Sequence, residues 1–212
     1  MEQSPVGVDM HTELELHEII KQQFVADFPD LTCIREQPFP GKPLSGPKLT
    51  DRQRCDFVLL PAGSTSIADP EQVRRERAAV ADTLFAGSSV EAVTHKGLAD
   101  PSDCFWLEIK LARALITGER GVRPNPGWSK ELIQLPISDV EKLAEDPLIE
   151  RSALAILAFG PDERTVCHDL DIALTRALDR GVALRSPIIR GQPITDRIGN
   201  AWCSIAVWPV SQ

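Results

Sequence analysis

One stretch constrains this chain more than any other: "DCFWLEIKLA", from Asp103 to Ala112, sets an acid and a lysine two residues apart inside an apolar run. Strand side chains alternate between faces, so Cys104, Trp106, Glu108 and Lys110 share one face while Phe105, Leu107, Ile109 and Leu111 share the other. The run reads as a buried strand. Charges in such a place lose hydration and need compensation from partner groups, a metal or a substrate.

Around that strand the pattern alternates between helical and extended periods. Thr12 and Glu15 have capping-box spacing, and Leu16, Ile20, Phe24 and Phe28 recur at helical intervals, which predicts a first helix ending near Phe28. "TCIREQPF" follows as a strand, "PGKPLSGPKLTDRQR" as a Pro/Gly-rich loop, and "CDFVLLP" as a buried strand opened by Asp56. Asp69-Pro70 starts an inserted helix over about residues 69–87, with Gln72 at capping-box spacing and Gly87 as its stop. After the Glu108 strand come a loop, one or two short helices across "SKELIQLPISDVEKLAED" with Ser138 as a cap and Glu141 at N3, and the strand "SALAILAFG". The helix "DLDIALTRALDRG" stops at Gly181, and "AWCSIAVWPV" is the last strand. This order predicts an α/β protein with a mixed central sheet flanked by helices. With 212 residues and 42% hydrophobic composition, one sizeable core suffices, so residues 1–212 are expected to form a single domain.

The formal charge of −8 argues against a protein that coats nucleic acid nonspecifically. Locally the balance reverses: between Lys110 and Lys130 the residues Lys110, Arg113, Arg120, Arg123 and Lys130 face only Glu119, with Trp128 among them. The segment is either a phosphate-facing patch or a solvated charged loop. Cys33, Cys55, Cys104, Cys167 and Cys203 lack a C-x-x-C pair, and His11, His17, His95 and His168 lack zinc-ligand spacing. Reduced thiols and no zinc site are expected. No run is long and apolar enough for a membrane span, and "MEQSPVGVDMHTE" lacks the features of a signal peptide, which points to a cytoplasmic location.

Through "RCDFVLL" (Arg54 to Leu60) and "FWLEIKLA" (Phe105 to Ala112) the chain resembles the PD-(D/E)XK nuclease superfamily over about residues 13–160. Cys55 stands where the family motif has its proline, and the inserted helix separates the two motif strands. The resemblance implies a restriction-endonuclease-like core and a DNA phosphodiester hydrolase. It also implies that Asp56 and Glu108 bind Mg²⁺ or Mn²⁺ and that Lys110 positions or deprotonates the attacking water. An earlier helix often adds a glutamate in that family, and Glu13 lies on the helix face shared by Leu16, Ile20 and Phe24, whereas Glu15 is occupied in capping and Glu18 leans toward solvent. Arg113, Arg120, Arg123 and Lys130 are the expected nucleic-acid contacts. Hard carboxylate oxygens suit such a cation, which stabilises the charge that builds on a phosphodiester under attack.

Each residue also has a plainer role open to it. Asp56 can end a loop by bonding to local amides, Glu108 and Lys110 can be an ion pair at a strand edge, and Glu13 can answer the helix dipole. Two other functions therefore stand beside the nuclease: a catalytically idle protein of the same fold acting as a binding or immunity-type partner, and an unrelated α/β protein whose ion pair is structural.

Overall fold

The computed structural model describes residues 7–41, 53–81 and 97–211. A 3-10 turn (Val8–Met10) precedes α1 (Glu13–Asp27). The capping box forms as the sequence predicts: the Thr12 backbone N–H donates to Glu15 Oε2 at 2.7 Å, and the Glu15 N–H donates to Thr12 Oγ1 at 3.3 Å. The Thr12 N–H bond, together with one donated by Thr12 Oγ1 to Glu15 Oε2 at 2.9 Å, holds the Glu15 carboxyl below its usual range, the Thr12 backbone contributing most.

β1 (Thr32–Pro38) and β2 (Arg54–Leu60) pair antiparallel, from Thr32 opposite Leu60 to Pro38 opposite Arg54. β3 (Ser66–Ile67), α2 (Pro70–Ala81) and β4 (Leu98–Ala99) follow, with β3 and β4 parallel. Pro70 occupies the first helical position, and Asp69 Oδ1 accepts the Glu71 N–H at 3.0 Å, so α2 starts where expected. Its expected continuation to Gly87 lies outside the described residues, as does most of the Pro/Gly-rich loop. β5 (Phe105–Arg113) is the charged strand.

The segment expected to be a basic loop contains a hairpin, β6 (Leu115–Gly118) and β7 (Gly121–Pro124), turning at Glu119 and Arg120. Gly121 adopts φ 97°, a conformation that glycine supplies without steric cost. A π-helical turn (Lys130–Gln134) then leads into α3 (Leu135–Ala144). Ser138 lies inside α3 and is not its cap, because the helix is already under way at Gln134 and Pro136 sits in its first turn.

β8 (Arg151–Gly160) is buried at every position after Arg151. α4 (Glu163–Asp179) begins earlier than its apolar pattern suggests, since Asp162 caps it by accepting the Thr165 N–H at 2.8 Å. Cys167 and His168 consequently fall inside the helix. Gly160 permits that closeness: a Cβ there would lie 2.5 Å from Val166 Cγ2. β9 (Ile188–Pro193), absent from the sequence-based expectation, and β10 (Trp202–Pro209) complete the chain.

The central sheet is mixed and six-stranded, in the order β1-β2-β5-β8-β10-β9, and helices flank it. The chain forms two compact units. One comprises Met1–Gln22, Leu107–Glu145 and Ser152–Gln212; the other comprises Gln23–Trp106 and Asp146–Arg151. The first is organised around β8, with Leu154, Ile156 and Phe159 fully buried and α4 contributing Val166, Leu170, Ala173 and Ala177. Each large apolar side chain so buried contributes roughly 1.5–3 kcal/mol. In the second, Phe57 packs edge-on against Phe24 with centroids 6.4 Å apart, Arg35 lies over the Phe57 ring, and Phe39 stacks on Trp106. Ala68, Val73 and Leu148 form a further buried cluster there.

Candidate functional site

β5 delivers Glu108 and Lys110 to one face, as period two requires. Glu108 is only 3% exposed. The Lys110 ammonium lies 3.9 Å from Glu108 Oε2, 3.6 Å from Glu13 Oε1 and 3.1 Å from Asp139 Oδ2. It also donates to the Ile109 carbonyl at 3.2 Å. Thus α1, β5 and α3 each bring a carboxylate to one lysine. Asp139 uses its other oxygen, Oδ1, for Lys142 at 2.5 Å.

The first turn of α1, and Glu13 with it, is fixed from several directions. The Arg113 guanidinium, from the same strand as Lys110, donates to the His11 carbonyl. Burial lowers the proton affinity of Arg113, while Glu131, Asp9 and Glu13 act in the opposite sense. Upstream, Asn200 donates to buried Asp9 Oδ2 at 3.1 Å and to the Leu115 carbonyl at 3.0 Å, and accepts the Leu115 N–H at 3.2 Å. The 3-10 turn is thereby tied to the start of β6, and the capping box then sets the direction of α1.

Glu13, Glu108 and Lys110 therefore meet within one unit. Asp56 belongs to the other unit, half-buried on β2 between Cys55, opposite Gln37, and Phe57, opposite Arg35. The intervening residue of β1, Glu36, has φ 54°, in the left-handed region that disfavours a residue with a Cβ. Its carbonyl accepts Arg54 Nη1 at 2.7 Å. Local strain of this kind is maintained by its surroundings.

Of the expected nucleic-acid contacts, Arg120 and Arg123 are exposed on the β6–β7 hairpin and Lys130 is exposed at the π turn. Arg113 instead bonds to the His11 carbonyl. The base of the hairpin is braced: Asn125 Nδ2 donates to the Arg113 carbonyl at 2.8 Å and to Glu131 Oε2 at 2.9 Å. Trp128 Nε1 donates to Asp169 Oδ2 at 2.8 Å, tying the ring to α4.

Asp139 was not visible to sequence reasoning. It belongs to the buried side of α3 with Pro136, Val140 and Leu143, so an acid on an apolar stripe was the available signal. Assigning Ser138 as the cap would place Asp139 at the first helical position, where an acid is unremarkable. Cysteine chemistry is disfavoured at two positions, because burial pushes the thiols of Cys104 and Cys203 up to about 12, with Asp103 and Asp100 adding to the first and Asp9 to the second.

Comparison with protein-family models, with curated proteins and with solved structures finds no match for this chain.

Proposed function

We propose that this chain is a metal-dependent nuclease that hydrolyses DNA phosphodiester bonds. The observation that carries the reading is the buried Glu108 carboxylate beside Lys110, in a cluster where Glu13 and Asp139 add further negative charge. Carboxylate oxygens of this kind suit a hard divalent cation such as Mg²⁺ or Mn²⁺. Glu108 would hold the ion, and the family resemblance assigns the second carboxylate to Asp56.

Such a cation, when bound, supplies Lewis-acid stabilisation of a phosphodiester under attack. Lys110 would orient the attacking water through its ammonium. Glu13, with 44% of its side chain exposed, is the member of the cluster most open to solvent. Arg120, Arg123 and Lys130 would hold the nucleic-acid backbone. The restriction-endonuclease-like core belongs to this same proposal.

The overall charge of −8 favours a second reading, a catalytically idle protein of this fold that binds a protein partner. One experiment separates the two: plasmid and single-stranded DNA are incubated with purified protein and Mg²⁺ or Mn²⁺, beside Lys110→Ala and Asp56→Asn. Cleavage by the parent that both substitutions abolish supports the nuclease. Equal cleavage by parent and Lys110→Ala, or no cleavage of either substrate, rejects it.

A further inference from the structure

We propose that the β6–β7 hairpin is an arm that enters the major groove of duplex DNA, where Arg120 at its turn and Arg123, extended along the ribbon over Gly118, meet the phosphates of the groove walls. The inference rests on the DNA reading above and narrows it to a B-form duplex. The hairpin is a two-stranded sheet apart from the six-stranded one, and every residue from Glu119 to Pro124 is exposed. A B-DNA major groove about 12 Å wide and about 8.5 Å deep admits a two-stranded ribbon. Here the strands stand about 4.8 Å apart, and the three steps from Leu115 to Gly118 extend about 10 Å, enough to reach the groove floor. The deep, narrow major groove of A-form RNA excludes such an element.

The base of the ribbon is fixed on both strands. Asn200 satisfies the Leu115 N–H and carbonyl, the Asn125 N–H donates to the Ala114 carbonyl at 2.8 Å, and Asn125 Nδ2 donates to the Arg113 carbonyl at 2.8 Å. Above that base the pairs Ile116–Arg123 and Gly118–Gly121 share one face, and Thr117–Val122 the other. Gly118 is not in the left-handed region, so what glycine supplies there is space: a Cβ would lie 3.0 Å from Arg123 Nε. The Arg123 side chain therefore runs from its own position opposite Ile116 across Gly118, toward the turn that carries Arg120. Both guanidiniums are thus directed to the distal half of the arm. The chain as a whole carries a formal charge of −8, and a projecting basic element lets it meet a polyanion while the acidic surface stays back.

The test is fluorescence anisotropy in EDTA, with labelled DNA duplex, RNA duplex and single-stranded DNA of one sequence. The parent is expected to bind the DNA duplex at least about tenfold more tightly than the RNA duplex. Gly118→Val keeps every charge but fills the space over which Arg123 lies, and is expected to weaken DNA-duplex binding about fivefold. Arg123→Ala should cost about fivefold in the parent and less than about twofold in the Gly118→Val background, because the guanidinium is already displaced there. Gly118→Ala supplies the same cycle should valine disturb the hairpin, and the urea midpoint of each variant shows that it folds. Parental affinity in both Gly118 variants, equal affinity for the DNA and RNA duplexes, preference for the single strand, or no binding of DNA each overturns the proposal. EDTA keeps this outcome separate from that of the nuclease reading. Duplex binding with the expected cycle, by a protein that cleaves nothing when Mg²⁺ or Mn²⁺ is added, keeps the arm and rejects the nuclease. Cleavage by a protein whose Gly118 variants bind as the parent does keeps the nuclease and rejects the arm.

Discussion

Replacing Asn200 by alanine removes one buried side chain that makes three hydrogen bonds. Asn200 is fully buried, as is Asp9, whose Oδ2 it contacts at 3.1 Å. The other two bonds satisfy the Leu115 N–H and carbonyl, at 3.2 Å and 3.0 Å. Neutral hydrogen bonds contribute about 1 kcal/mol each and one to a carboxylate about 2, so their loss totals about 4 kcal/mol. That is a large fraction of the roughly 5–15 kcal/mol by which domains are stable. In urea, with a slope near 2 kcal/mol per molar, the midpoint should fall by about 2 M. Asp9→Ala should cost less in the Asn200→Ala background than in the parent, because the two share one bond. A midpoint shift below about 0.5 M with an unchanged slope would refute the reasoning, since it would mean that Leu115 and Asp9 find other partners at no cost.

Neutralising Arg120 and Arg123 together should weaken DNA binding and reduce the steepness of its salt dependence by about 0.9 per lost phosphate contact; an unchanged slope in fluorescence titrations would move the contact surface elsewhere. Glu36→Gly should stabilise the protein by about 0.5–1 kcal/mol, because glycine adopts φ 54° without the steric penalty; a lower urea midpoint would show that the Glu36 side chain contributes more than its backbone costs. The capping carboxyls Glu15 and Asp162 are both depressed by hydrogen bonds from their own helix starts, chiefly from the backbone N–H groups of Thr12 and Thr165. Their folded values lie below their unfolded ones, so the stability they supply is present above the ordinary carboxylate range and is lost as pH falls through the folded values. The destabilisation by Glu15→Gln should therefore be larger at pH 7 than at pH 2, and an equal penalty at both would contradict the assignment.

How much of this was legible depended on whether a segment carries its own signal. The start of α1 was readable because Thr12 and Glu15 form a local device, and β2, β5, β8 and β10 because long apolar runs need burial. β9 escaped because "IIRGQP" has little strand character of its own: it is an edge strand ordered by the ladder to β10, and Gly191 is small because the Trp202 indole lies against it. The β6–β7 hairpin had a signal, two glycines flanking Glu119 and Arg120, but its charge suggested a loop. At the site, Glu108 and Lys110 followed from period two and Glu13 from its helix face, whereas Asp139 depended on where α3 begins. That start is set by the π turn, for which the sequence offers no local cue.

The extra residue in that turn has a dimensional consequence. Eight positions separate Glu131 from Asp139, which on a regular α-helix would leave their side chains about 80° apart. A π turn absorbs about one residue, bringing them to within about 20° of each other on one side of the helix. Both then reach β5: Glu131 accepts the Arg113 N–H at 3.3 Å, and Asp139 meets Lys110 at 3.1 Å. Along the strand those two points are three residues apart, about 10 Å, and eight helical residues rise about 12 Å, so helix and strand mark the same interval. The pair works as a gauge, running in opposite directions and matched at both ends. A variant lacking the exposed Gln134 would replace the π turn by a regular one and keep both marks aligned, whereas one residue inserted there would turn Asp139 about 100° away from Lys110.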